Sequence, residues 1–274
     1  MKKIFLPASF IILLLLIASF FDLQIDQILY RPQNIFSKIF SGVGVLPQFV
    51  IIIFSPSMAL CALFVMRRNL NSLYVISGGV VVAIAALKFP FIFAVTEEFV
   101  RLTFLQVIFL YMLCLLCTFF ITLPFAKKMP REVLTVAITG ALAEFAGAII
   151  LAAMKDAWGR RRFFTMDNPA LQFTQWYLPQ DNAASDDYMS FPSGHSFSGM
   201  LAVWFALFPH FIPALKKWTK LILTAAVLFG FATMLSRLMN GKHFLSDVTM
   251  GSVLALLSLL LAKLFVDKIF AKKI

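Results

Sequence analysis

The stretch Thr103–Ala126, TFLQVIFLYMLCLLCTFFITLPFA, runs for 24 residues without a charge. As an α-helix it would rise about 36 Å, enough to cross the roughly 30 Å hydrocarbon core of a bilayer. Comparable apolar runs lie near 4–21, 47–66, 73–95, 133–154, 196–214, 219–237 and 246–266. The pattern predicts an all-α, polytopic helical membrane protein with about eight transmembrane helices. Six or seven are the alternatives, because the run at 73–95 contains Lys88 and Pro90.

Composition points the same way. The chain is 61% hydrophobic and 14% charged, with 32 Phe and a mean hydropathy of +0.90. Soluble domains carry about 25% charged residues, so an ordinary soluble enzyme is excluded. A transmembrane barrel would show short alternating segments instead of long apolar blocks. Cys61, Cys114 and Cys117 all lie inside apolar runs, and Cys114-Leu-Leu-Cys117 has no second pair or nearby His. They read as small packing residues, not as a metal or redox site.

The net charge of +11 is a topology signal. With the N-terminus inside, the cytoplasmic segments hold fourteen of the 24 basic residues, among them Arg67, Arg68, Lys127, Lys128, Lys216, Lys217, Lys272 and Lys273. The outer segments hold most of the acids, including Asp22, Asp26, Asp156, Asp181, Asp186 and Asp187. Basic loops stay in the cytoplasm, so both termini are expected inside a cell membrane, and nucleic acid drops out as a partner. The first run follows Met1-Lys2-Lys3 but offers no small-x-small cleavage site, so it reads as an uncleaved helix. The whole chain, 1–274, reads as one membrane domain with no repeat or linker.

Three polar segments stand out against this background. Lys155-Asp-Ala-Trp-Gly-Arg-Arg-Arg162 ends the fifth run. Pro192-Ser-Gly-His195 precedes the sixth. Ser236-Arg237-x5-His243-x3-Asp247 joins the seventh to the eighth. No span separates the first from the second and two separate the second from the third, so all three should share one face of the membrane. Their residue types suit phosphate. Arg162 and Arg237 offer planar forks and Lys155 a point charge. Pro192 suits a first helical turn, after which Ser193, Gly194 and His195 would present free N–H groups to an anion. His243 and Asp247 lie four apart, so a carboxylate could hold one imidazole nitrogen and leave the other free to attack. His195 could protonate a leaving alkoxide.

K-x6-R, PSGH and S-R-x5-H-x3-D together resemble the three-part signature of the type 2 phosphatidic acid phosphatase superfamily, which includes lipid phosphatases, glucose-6-phosphatases and haloperoxidases. The resemblance implies a phosphatase helix core over 131–266 and assigns no role to the helices of 1–130. It implies His243 as a nucleophile forming a phosphohistidine, Asp247 as its orienting partner and His195 as general acid. Lys155, Arg160, Arg162, Ser193, Gly194 and Arg237 would hold the phosphate, with no metal and no cofactor. Many relatives have Pro where Phe163 stands. The implied function is an integral-membrane phosphatase acting on a lipid phosphate or diphosphate at the outer face. Transfer of the phosphoryl group to a lipid or sugar acceptor, a sugar-phosphate substrate, and a lipid transporter or flippase are the alternatives. Oligomeric state is not legible.

Blander readings compete at several positions. Basic residues flanking spans are commonly interfacial anchors, and Arg161 is divided about evenly between anchor and clamp. His210, in Phe208-Pro-His-Phe211, reads as plain structure. Trp176 and Tyr177 read equally as headgroup-level aromatics or as loop packing. Glu144 and Lys88 fall at comparable depth in their runs, about 16 and 22 Å from the start. They are expected either to pair or to be solvated separately, since ionisable groups are costly in a membrane.

Overall fold

The computed structural model describes residues 2–67, 72–100, 102–180 and 185–271. Arg68, Asp181, Lys272 and Lys273, four of the charges used above to orient the chain, lie outside the described residues. The described chain is helical, with no strand. Its α-helices are α1 (Lys2–Leu29), α2 (Ile35–Val43), α3 (Leu46–Met66), α4 (Ser72–Val100), α5 (Phe104–Ala126), α6 (Pro130–Trp158), α7 (Pro169–Gln172), α8 (Gly194–Met200), α9 (Thr219–Met239) and α10 (Leu245–Ala271). The quoted stretch is thus α5, opened by a reciprocal cap in which Gln106 Oε1 accepts from Thr103 N at 2.9 Å.

Among the described residues, six segments are long and apolar enough to cross a membrane: Ser9–Leu29, Ile35–Met66, Phe104–Ala126, Pro130–Thr165, Pro213–Met239 and Leu245–Phe270. The protein is a polytopic helical membrane protein. Within the run at 73–95, Tyr74–Phe89 is apolar but shorter than a span. The run at 196–214 departs most from expectation. It is α-helical only to Met200 and continues as 3₁₀ helix over Leu201–His210. A three-residue turn stacks side chains at i and i+3. Phe205, Phe208 and Phe211 form such a row, with successive ring centroids 5.4 and 5.2 Å apart.

The chain divides into two compact units. The first comprises Met1–Pro47, Ala146–Val203 and Thr224–Leu257. Small residues let its helices approach closely. A Cβ on Gly199 would lie 2.7 Å from Thr233 Oγ1, and one on Gly251 only 2.2 Å from Ser193 O. The start of α8 therefore lies directly against the backbone of α10, just beyond Asp247.

The second unit comprises Gln48–Phe145, Trp204–Leu223 and Ser258–Ile274. Trp204 is fully buried, sits where Gly140 leaves room, and donates from Nε1 to Val136 O at 3.0 Å. The question left open by sequence is answered here. Lys88 Nζ lies 2.9 Å from Glu144 Oε1, and Gln48 Nε2 donates to the same oxygen at 2.7 Å. Glu144 is 0% exposed, so its charge depends on these two partners. Removing one member of a buried pair leaves the other uncompensated. Lys88→Met should cost on the order of 3 kcal/mol. Lys88→Met/Glu144→Leu should recover most of it in thermal unfolding in detergent. A double variant as unstable as the single one would contradict this account.

Candidate functional site

All three polar segments, with the residues they touch, belong to the first unit. Helix α6 carries Lys155 in its last turn and ends at Trp158. Gly159 then adopts a left-handed φ of 56°, which turns the chain off the helix. Backbone hydrogen bonds stitch the segments together. Arg162 N donates to Asp187 O (2.8 Å), Ser190 N to Arg160 O (3.0 Å), Phe164 N to Gly241 O (3.0 Å) and Ser193 N to Asp247 O (3.0 Å). The longest-range of these bonds, Phe164 to Gly241, fixes residues 77 positions apart within one polar cluster.

His243 lies at its centre, 2% exposed. Its Nδ1–H donates to Ser190 O at 2.6 Å, which leaves Nε2 unprotonated in the neutral ring. Asp247 Oδ2 is 3.9 Å from that Nδ1, too far for a hydrogen bond. The expected direct hold of Asp247 on the imidazole is thus replaced by a relay. Asp247 accepts from Ser190 Oγ and from Phe244 N (2.8 Å), and it is Ser190 that contacts the ring. Burial, reinforced by Lys155, Arg162 and Arg237, holds the His243 pKa well below its ordinary value. His195 is depressed for the same leading reason, with Arg237 next. Its Nε2 lies 3.2 Å from Ser41 O.

Around the imidazoles stand three cations. Lys155 Nζ donates to Met189 O. Arg162 Nη2 donates to Asp186 Oδ1 at 2.7 Å, and Arg237 Nη1 to Ser41 Oγ at 3.0 Å. In both arginines Nε–H is buried without an acceptor. Such orphaned donors are costly and need a cause. At Gly194 a Cβ would meet nothing nearer than Leu151 Cδ2 at 3.8 Å, so the space on that side of its Cα is open.

Several expected residues have other roles. Arg160 is 0% exposed and committed to protein acceptors: Nη1 to Asp247 Oδ1 (2.6 Å) and Ser246 Oγ (2.7 Å), Nη2 to Asp22 Oδ2 (3.0 Å), and Nε to Thr174 O (3.1 Å). Its guanidinium also lies over the Phe244 ring at 4.2 Å. It is a structural pillar, not a phosphate contact. Ser193, also fully buried, caps α8 by accepting from Ser196 N. Pro192 precedes this cap and does not occupy the first turn. Phe163, in the usual Pro position, packs on Tyr30 and Phe244. Arg161 is bound to Thr165 O and faces Asp167 at 3.7 Å, away from the imidazoles. Among the described residues no three His, Cys, Asp or Glu side chains gather as metal ligands.

Sequence reasoning missed Asp22, Ser41, Asp186 and Ser190 as site residues. Asp22 and Asp186 were visible as outer acids, but Ser41 and Ser190 carry no pattern. A family profile described as PAP2 superfamily matches residues 132–271. No curated protein and no solved structure matches the chain.

Two outcomes follow from this geometry. Arg160→Ala strands two buried carboxylates and should cost about 3–5 kcal/mol in detergent unfolding. Arg162→Ala, whose partner Asp186 is largely exposed, should cost about 1 kcal/mol or less. Equal losses would remove the distinction. Second, both histidines are neutral when folded but gain protons at about pH 6.5 when unfolded. Stability from this source is therefore complete above that pH and falls as pH drops below it. His195→Asn/His243→Asn should flatten the slope of unfolding temperature between about pH 7.5 and 5. An unchanged slope would place the protons elsewhere.

Proposed function

The chain belongs to the PAP2 superfamily, which supports a phosphoric ester hydrolase, and on that premise we propose that it removes phosphate from a lipid phosphate or diphosphate at the outer membrane face. One observation carries the reading: the Nε–H groups of Arg162 and Arg237 are buried without acceptors beside a neutral, buried imidazole. A tetrahedral oxyanion satisfies both donors and relieves the unpaired positive charge of the cluster. Two guanidinium forks and a lysine together match the geometry and charge of a phosphate group.

The reaction would proceed in two displacements. His243 Nε2 attacks phosphorus while the ester P–O bond breaks, and His195, protonated by the incoming phosphate monoanion, gives that proton to the departing alkoxide. Ser190 O accepts the Nδ1–H that becomes more acidic as His243 gains a phosphoryl group, and Asp247 steadies Ser190. Water then attacks phosphorus, returns a proton to His195 and frees His243 as inorganic phosphate leaves. Arg162, Arg237, Lys155 and the first N–H groups of α8 bind the equatorial oxygens, where charge accumulates.

The lipid part of the reading rests on placement. The cations close the ends of apolar helices, as a headgroup site requires. The same unit holds an apolar cavity of about 200 Å³ lined by residues that include Phe10, Leu14, Met200, Phe231 and Leu256. It has room for part of an acyl or prenyl chain. The excess of basic residues in the opposite connections supports the outer face.

Purified protein should release phosphate from members of a panel of phosphatidic acid, phosphatidylglycerophosphate, polyprenyl diphosphate and lipid A, with little from glucose 6-phosphate. His243→Ala should lower turnover on the order of 10³-fold or more, as loss of a nucleophile does. Full activity of that variant would defeat the mechanism. Preference for glucose 6-phosphate would defeat the lipid assignment alone.

A further inference from the structure

Both histidines rest one ring nitrogen on a backbone carbonyl. His243 Nδ1 lies on Ser190 O and His195 Nε2 on Ser41 O. For His243 this contact frees Nε2 for attack. For His195 the same logic points to Nδ1. Ser41 belongs to α2, outside the matched residues 132–271. Resting on the phosphatase reading, the geometry points to Ser41 as the positioning residue of the leaving-group acid, whose carbonyl holds the Nε2–H of His195 so that Nδ1–H faces the departing oxygen.

The local structure suits this task. Ser41 lies in the last turn of α2, where carbonyls have no intrahelical donor. The C-terminal end of a helix favours a nearby cation, and the last turn of α2 contains no basic residue. The groups facing His195 from the other segments are Arg237, Lys242 and Arg162, and all of them oppose its protonated form. The Ser41 carbonyl is the partner that favours it. Its position is tied down on three sides. Ser41 Oγ donates to Ser37 O (2.8 Å) and accepts from Arg237 Nη1 (3.0 Å) and Asn240 Nδ2 (3.1 Å). Ser37 in turn donates to Ser236 O at 3.1 Å, and Asn34 caps the far end of α2 through Phe36 N at 2.9 Å.

The ester enters as its monoanion and passes its proton to the free Nδ1 of neutral His195, with Nε2–H held on Ser41 O. In the first displacement that Nδ1 proton moves to the leaving oxygen as its bond to phosphorus breaks. In the second, the attacking water gives a proton to Nδ1, which hands it to the departing phosphate, so His195 ends neutral as it began.

The test is leaving-group dependence. Dihexanoyl phosphatidic acid expels a poor alkoxide that needs the acid, whereas p-nitrophenyl phosphate expels a phenolate that does not. Asn34→Ala loosens α2 at its far end, and Ser41→Ala removes its anchor. Each should lower kcat/KM for the alkyl ester about tenfold, a fraction of what a general acid supplies, relative to the aryl ester. Ser41→Thr, which keeps the hydroxyl, should preserve the ratio. Damage to the phosphate clamp lowers both substrates alike and leaves the ratio unchanged. An unchanged ratio in both alanine variants would overturn the role of Ser41 while leaving the phosphatase reading intact. Absence of phosphate release from either ester by the wild-type protein would overturn both.

Discussion

The buried guanidinium of Arg160 holds the polar cluster together. It joins Asp22 on α1 to Asp247 at the start of α10, and Ser246 closes the network by donating its N–H to Asp22 Oδ1 at 3.0 Å. Without it two fully enclosed carboxylates would have no cation beside them. From Asp247 the order passes to Ser190 and then to His243. The imidazole is therefore oriented through three side chains and a carbonyl, and its neutrality follows from burial, reinforced by the cations ranged beside it.

The N-terminal helices are part of this arrangement. Asp22 from α1 neutralises Arg160, and Ser41 from α2 meets both His195 and Arg237. The similarity to known sequences begins at residue 132. A segment cut at that point would lose one partner of its central guanidinium and one anchor of Arg237. The limit of family resemblance is thus not a limit of structural independence.

Much of the fold was legible because membrane spans advertise themselves by length. Uncharged runs such as 103–126 can hardly be anything else in this composition. The 196–214 run misled because apolar length does not distinguish an α-helix from a 3₁₀ helix. Only the i, i+3 spacing of Phe205, Phe208 and Phe211 hints at the tighter turn. The site was legible where residue chemistry is scarce: two histidines and clustered cations beside apolar helices stand out. Arg160 and Arg162 could not be told apart, since both are arginines two positions apart and only burial and partners distinguish them. Ser41 and Ser190 act through backbone carbonyls, which every residue possesses. The pairing of Lys88 with Glu144 depended on helix packing, which matching depth alone does not determine.

Arg162 and Arg160 also differ in how readily they change partners. The side chain of Asp186 is 76% exposed, whereas those of Asp22 and Asp247 are fully enclosed. Water and salt compete for an exposed ion pair and reduce its worth to about 1 kcal/mol or less. On the proposed reading, Arg162 would exchange Asp186 for a substrate anion at little cost, and take it back when that anion departs. One arginine is a fixed strut and the other a hinged gate latch, although they stand two residues apart.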